Sequence, residues 1–289
     1  MLIINNQQAL NEFCSLLKCN SIISIDTEFS RHSTYYAKLS TIQIKGGENI
    51  AIIDALNNID LSPICSLLID ENILKIFHAP REDFEIFYYL FKKLPKNVFD
   101  IQTAANACGL GKNLSYNDIC IKICGVGIDK TYQKADWLQR PLTKQIINYA
   151  LTDIKYLEQI YFSLLPRIRD TKSQQEFISG IAYILDLASY SINIEDTWQK
   201  VKFFDKSRSF ISKMKILASY REAQAQIINL PRKHFLKDED LIKLCQYLPT
   251  NNREFEALNI DNFYLNRDKN KNKYKNQIYD LCAGIRSGY

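Results

Sequence analysis

The stretch Ser21-Ile22-Ile23-Ser24-Ile25-Asp26-Thr27-Glu28-Phe29 limits what this chain can fold into more than any other. It reads as a short buried strand that ends in two acids. Side chains on a strand alternate between faces, so Ile23, Ile25 and Thr27 point one way and Ser24, Asp26 and Glu28 the other. Asp26 and Glu28 are then neighbours on one face, at the end where the strand leaves the core. Two carboxylates placed there repel each other unless something positive sits between them. A divalent cation meets that need, since hard cations prefer oxygen ligands. The competing reading is a pair of solvated acids at a strand end.

A chain of 289 residues is long for one domain and comfortable for two. With 46% hydrophobic and 24% charged residues it has enough apolar material for a proper core, which excludes a disordered or fibrous chain. No apolar run is long enough to span a bilayer. The start, Met1 to Asn6, lacks the basic and apolar profile of a signal peptide. The expectation is a cytoplasmic protein without a membrane partner. Its eight cysteines are scattered without a C-x-x-C pair, and three histidines give no zinc spacing, so buried thiols in a reducing compartment are expected. Cys120 and Cys124 could face each other on a helix. Charge is uneven: residues 1–199 carry 19 Lys and Arg against 22 Asp and Glu, and residues 200–289 carry 18 against 10. The basic C-terminal part fits a module that binds a polyanion, though charge alone does not choose between nucleic acid and an anionic membrane.

Along the chain, Gln8–Leu17 reads as an amphipathic helix. Thr41–Lys45 and Ile50–Asp54 read as a β-hairpin turned at Gly46-Gly47. A helix over Ser62–Ile69 leads to a strand over Ile73–Phe77. These elements predict a mixed sheet flanked by helices. Pro80 suits the first turn of a helix in which Phe84, Phe87, Tyr88 and Phe91 form an apolar stripe, and Asp83 stands near its start. Further helices are expected from Asp100, over Leu114–Cys124, and as one long element over Thr143–Leu165. In the last, Tyr149 and Asp153 lie one turn apart on a shared face. The loop Asp129–Trp137 and the following Arg140 combine Lys, Tyr, Gln, Trp and Arg, equipped to hold phosphates and stack on bases; the competing reading is an ordinary surface loop anchored by Trp137. From about Thr171 the pattern is helical throughout. Helices are expected near Ser173–Tyr190, Lys206–Ile227, Asp238–Tyr247, Arg253–Leu258 and Lys273–Ala283, with a basic, Asn-rich loop over Asn266–Lys275.

Asp26, Glu28, Asp83 and Asp153 are thus four acids from three segments, with Tyr149 beside the last. If the segments converge at one end of the sheet, four carboxylates suit two divalent ions roughly 4 Å apart, the arrangement used for in-line phosphoryl displacement. A tyrosine hydroxyl, whose ordinary pKa is about 10, would orient a water rather than act as a strong base.

Three motifs carry a family resemblance: Ile25-Asp26-Thr27-Glu28-Phe29, His78-Ala79-Pro80-Arg81-Glu82-Asp83-Phe84, and Tyr149-Ala150-Leu151-Thr152-Asp153. With the lead-in Asp136-Trp137-Leu138-Gln139-Arg140-Pro141-Leu142, they resemble the ribonuclease D family of DEDD 3′→5′ exonucleases, in the subclass with tyrosine in the third motif. Trp198-Gln199-Lys200, Tyr220-Arg221-Glu222 and Asn229-Leu230-Pro231-Arg232 resemble the helicase-and-RNase-D C-terminal (HRDC) domain, with Tyr220 where tryptophan is common. Some family members carry two such modules, and one fits here.

The resemblance implies an α/β mixed-sheet RNase H-like exonuclease domain over residues 1–168 and a helical connector over 169–191. An all-α HRDC-like nucleic-acid-binding domain would fill residues 192–289. It implies two divalent metal ions, Mg²⁺ or Mn²⁺, on Asp26, Glu28, Asp83 and Asp153, with Tyr149 orienting the water. The implied substrate is RNA with a 3′-hydroxyl end, tRNA precursors above all. Two globular domains without an evident coiled coil favour a monomer. A DNA 3′→5′ exonuclease and a non-catalytic RNA-binding protein are the alternatives.

Overall fold

The computed structural model describes residues 2–260 and 271–288. Contacts divide the chain into two units, one of residues 1–30 and 37–190, the other of residues 31–36 and 191–289.

The first unit is built on a mixed sheet. Its strands are β1 (Leu2–Ile4), β2 (Ile22–Ser30), β3 (Lys38–Gly46), β4 (Asn49–Asp54), β5 (Leu74–Phe77) and β6 (Val98–Asp100), in the spatial order β1-β4-β3-β2-β5-β6. The acidic strand β2 is central, antiparallel to β3 and parallel to β5. The expected hairpin is β3–β4, and Gly47 at its turn has φ +56°, a conformation that glycine adopts without strain. β1 and β6 have no counterpart in the sequence reading.

Alternation along the strands makes two faces. Ile23, Ile25, Ile42, Ile44 and Phe77 pack beneath α1 (Gln7–Leu17), α2 (Ser62–Ile69) and α3 (Arg81–Phe91), through Leu10, Phe13, Ile64, Leu67, Phe84 and Phe87. The opposite face carries Ile76 and Ile52, covered by α4 (Ile101–Ala107), α5 (Tyr116–Cys124), α6 (Lys144–Lys155) and α7 (Leu157–Leu164). On that second face lie Asp26 and Glu28. Cross-strand register sets Gln43 and Ile52 beside Asp26, and Thr41 and Asp54 beside Glu28.

The single helix expected over 143–165 is two helices, broken at Tyr156. The Tyr116 hydroxyl accepts the Tyr156 N–H at 3.2 Å and donates to the Thr152 carbonyl at 3.0 Å, occupying the place of the i→i−4 bond between those groups. A side chain inserted in the ladder is a known cause of such breaks. The connector expected over residues 169–191 folds with the first unit instead. Its helix α8 (Thr171–Ile184) is shorter than Ser173–Tyr190, and Phe177 packs on Phe99 with ring centroids 4.9 Å apart.

Among the described residues from 191 onward, the second unit has helices and no strand. α9 (Arg208–Ile227) contributes Phe210, Met214 and Leu217 to a core shared with α10 (Arg232–Phe235), α11 (Asp238–Tyr247), α12 (Asn252–Glu256) and α13 (Lys271–Ser287). Arg221, wholly buried, donates to the Leu236 carbonyl at 3.2 Å and to Asp238 at 2.7 Å, so its charge is paired rather than stranded. The short excursion Arg31–Tyr36 between β2 and β3 belongs to this unit. There the Tyr35 hydroxyl donates to Glu222 at 2.5 Å, and the Tyr36 N–H donates to Asn229 at 3.1 Å. Of the Asn-rich loop expected over 266–275, residues 266–270 lie outside the described residues, and 271–275 are helical. All eight cysteines are free thiols, and among the described residues no helix is long and apolar enough to cross a membrane.

Candidate active site

Asp26 and Glu28 project from the central strand, and a β-bulge between Glu28 and Phe29 shifts the register directly after them. Bulges of this kind re-aim side chains and recur beside active sites. The α6 helix, resting on β2, β3 and β4 through Ile146, Ile147 and Ala150, brings Asp153 over the same face. Carboxylate oxygens of Asp26, Glu28 and Asp153 lie within 4.8 Å of one another, and all three residues are half-buried.

Asp83 reaches the site from the other side of the sheet, in the first turn of α3. Two features aim that turn. Ala79 is held in the left-handed region at φ +50°, and its N–H donates to Asp100 at 2.7 Å. Asp100, 1% exposed, also caps α4 through the N–H groups of Gln102 and Thr103. The Asp83 carboxylate accepts the Thr27 hydroxyl and stands outside the close trio. Its field still reaches Asp26 and Glu28. Of the four acids expected from sequence, three meet in the close trio and Asp83 stands beside it, bonded to Thr27. Thr27 is not among the expected site residues, though its signal is there to read: within strand β2 it is the one polar residue on the apolar side of the alternation.

Electrostatics marks the cluster as one that wants a cation. Burial first, then the carboxylates of Asp83, Asp153 and Glu28, hold Asp26 well above the usual carboxylate range. Burial and the charges of Asp153 and Asp83 push Glu28 up to about 9. Burial raises Asp153 to about 7, against the opposing hydrogen bond from Tyr149. Asp83 rises to about 6 by burial, with the Thr27 bond opposing. No lysine or arginine among the described residues pairs with any of the four. Mutually repelling carboxylates without a basic partner are a donor set for hard divalent cations, so the residues present fit the expected metals.

Tyr149 lies one turn before Asp153. Burial first, and then the charge of Asp153, push its hydroxyl far above the ordinary tyrosine value, so it is a neutral O–H. The Trp137 ring sits 6.1 Å from it. That placement favours a surface loop anchored by Trp137 over a loop that stacks on bases. Trp137 is 4% exposed and packs with Ile52, Ile146 and Ala150, so it offers no face for stacking. Arg140 is engaged by Asp54, with Nε and Nη2 each 2.7 Å from a carboxylate oxygen. The lysines of the loop, Lys130 and Lys134, remain exposed.

Residues 1–169 match a family model described as a 3′-5′ exonuclease. The chain therefore belongs to the 3′-5′ exonuclease family. Its branch is that of ribonuclease D. It is 34% identical over 248 residues to the ribonuclease D of Gluconacetobacter diazotrophicus, covering 86% of this chain and 63% of that protein. It is 32% identical over 290 residues to that of Bartonella henselae, covering the whole chain and 70% of the relative. The crystal structure of Escherichia coli RNase D, described as an exoribonuclease involved in structured RNA processing, superimposes with a TM-score of 0.84 at 26% identity. That match covers 99% of this chain and 75% of the other. Against the first curated relatives the chain spans slightly less than two thirds of their length. The mixed sheet with its flanking helices is accordingly an RNase H-like exonuclease fold.

Proposed function

We propose that this chain is a metal-dependent 3′→5′ exoribonuclease that removes nucleoside 5′-monophosphates from RNA with a 3′-hydroxyl end, tRNA precursors being the substrate class. The observation that carries this reading is the trio Asp26, Glu28 and Asp153, drawn within 4.8 Å with no basic partner among the described residues. The trio and Asp83 would hold two divalent ions, Mg²⁺ or Mn²⁺. When bound, those ions would polarise the scissile phosphate and stabilise the leaving oxygen. The chain's own part is to hold the acids in place and orient the water. Thr27 fixes one oxygen of Asp83, leaving the other for a ligand. The neutral Tyr149 hydroxyl would hold the attacking water in line, since its raised pKa makes it a poor base.

Residues 192–289, within the second unit, serve in this reading as an HRDC-type module that grips RNA. Its support is the local excess of positive charge, 18 Lys and Arg against 10 Asp and Glu over residues 200–289. The protein would act as a monomer in the cytoplasm.

The test is product analysis with purified protein on a short 3′-extended tRNA and on matched RNA and DNA oligomers, with Mg²⁺ or Mn²⁺. Nucleoside 5′-monophosphates should leave RNA from the 3′ end, EDTA should stop the release, and Asp26→Asn should abolish it in a folded protein. Preference for DNA would move the substrate class. Full activity in Asp26→Asn would end the proposal.

A further inference from the structure

The sequence sets Arg140 in a loop equipped to hold phosphates, and the structure gives it a different task. Its guanidinium is spent on the protein itself. Nε and Nη2 form two parallel bonds of 2.7 Å to Asp54, which closes β4 and is 7% exposed. Nη1 donates to the carbonyls of Trp137 and Gln139, both at 2.8 Å. Nη2 also reaches Ser40 Oγ at 3.0 Å, and that hydroxyl donates to the Trp137 carbonyl at 2.5 Å. A fork this fully engaged has no donor left for a phosphate.

The bonds tie two strands to one stretch of loop. Ser40 of β3 holds the Trp137 carbonyl directly, and Asp54 of β4 holds it through Arg140. The Trp137 ring, clamped from behind, fills the space between Ile52 of the sheet and Ile146 and Ala150 of α6, with the Tyr149 ring 6.1 Å away. Asp54 also shares a cross-strand row with Thr41 and Glu28. The latch and the acid are therefore fixed on one line of the sheet, and the distance from Glu28 to the Tyr149 ring is set through it.

We propose that Arg140, paired with Asp54, is a positioning residue that acts through Trp137 to hold Tyr149 against the acid cluster. The inference deepens the nuclease reading and rests on it for its kinetic test. A lysine could not replace the arginine, because one ammonium cannot make the parallel pair and reach the loop carbonyls together. An arginine that served a phosphate only as a point charge would, by contrast, be replaced in large part by lysine.

The experiment compares Arg140→Lys, Arg140→Ala, Asp54→Asn and Tyr149→Phe, singly and with Arg140→Ala and Tyr149→Phe combined, on a 3′-hydroxyl RNA oligomer with Mg²⁺. Misplacement of a reacting group by about 1 Å costs on the order of 10²-fold. The expected result is a kcat loss approaching that size in Arg140→Ala with KM unchanged. Arg140→Lys should do no better, and the double variant should be no slower than Tyr149→Phe alone. Rescue by lysine, a loss confined to KM with a shallower salt dependence of RNA binding, or multiplicative losses in the double variant would each overturn the proposal. A readout independent of activity comes from the two tryptophans. In a Trp198→Phe background, acrylamide quenching of Trp137 should rise in Arg140→Lys and Asp54→Asn, and not in Tyr149→Phe; unchanged quenching in both latch variants overturns the latch. If the native protein cleaves no RNA, the nuclease reading fails and quenching alone decides the positioning role. If Arg140→Ala does not fold, Arg140→Lys and Asp54→Asn decide it.

Discussion

The acid cluster should make the metal-free protein less stable than a variant with one acid neutralised, and Glu28→Gln is the cleanest perturbation because it keeps the side chain's shape. Folding moves the Glu28 carboxyl from its ordinary 4.5 up to about 9. The sign follows from that direction. Relative stability is greatest below the unfolded value and is lost as pH climbs from about 4.5 toward 9, because the folded chain holds a proton that the unfolded chain releases. At pH 7 the gap between 7 and 4.5, at about 1.4 kcal/mol per unit, amounts to about 3 kcal/mol. Proton sharing with Asp26 and Asp153 and relaxation of the half-buried site reduce it to about 1–3 kcal/mol. For a unit of this size that corresponds to a rise of roughly 3–10 °C in Tm. The assay is thermal unfolding in EDTA at pH 5, 7 and 8.5, followed by circular dichroism. The variant should gain little at pH 5, more at pH 7 and most at pH 8.5. In saturating Mg²⁺ the order should reverse, since a ligand at 100 times its Kd stabilises the native protein by about 2.7 kcal/mol and the variant loses a carboxylate ligand. A variant no more stable than the native protein at pH 7 in EDTA, or one with the same gain at pH 5 and pH 8.5, would refute the electrostatic account.

Tyr149→Phe should lower kcat by about 10²-fold through loss of an oriented water, and its pH–rate profile should show no lost limb below pH 9 because the native hydroxyl is neutral there. Tyr116→Phe frees the Thr152 carbonyl and the Tyr156 N–H to bond each other and so to join α6 to α7. Its cost should be about 1 kcal/mol in urea unfolding, with a fall in kcat as Asp153 moves, and a native kcat would contradict that role. Gly180→Ala would set a methyl group 2.4 Å from Thr103 Cγ2 and should destabilise the α4–α8 contact by about 1–3 kcal/mol in denaturant titration. Adding Thr103→Ser, which removes that methyl and keeps the hydroxyl bonded to Asp100, should restore most of the loss.

What could be read from sequence was whatever a residue's near neighbours decide. Helices α2 and α11 have the bounds expected, because amphipathic spacing and terminal residues within a few positions set them. The acids were legible because alternation over nine residues fixes the face of Asp26 and Glu28. Strands β1 and β6 were not, since three residues are too few to show a period. The break after Asp153 was invisible for another reason: its cause, Tyr116, lies 40 residues upstream of Tyr156. Arg140 misled in the same way, with its partner Asp54 86 residues away.

The hidden residues share a property. Thr27, Asp100, Tyr116, Asp54 and Arg140 each bind a backbone group or another side chain, and none belongs to the acid trio. A carboxylate at a metal site is recognisable alone because the chemistry dictates its type. A residue that aims it is not, because hydroxyl, carboxylate and guanidinium all serve if the distance is right. Sequence therefore exposes the groups that would meet a phosphate and conceals those that set their angles. The separation between Glu28 and Tyr149 passes through Thr41, Asp54, Arg140 and Trp137, so a change at any of these should move the rate while leaving every acid in place.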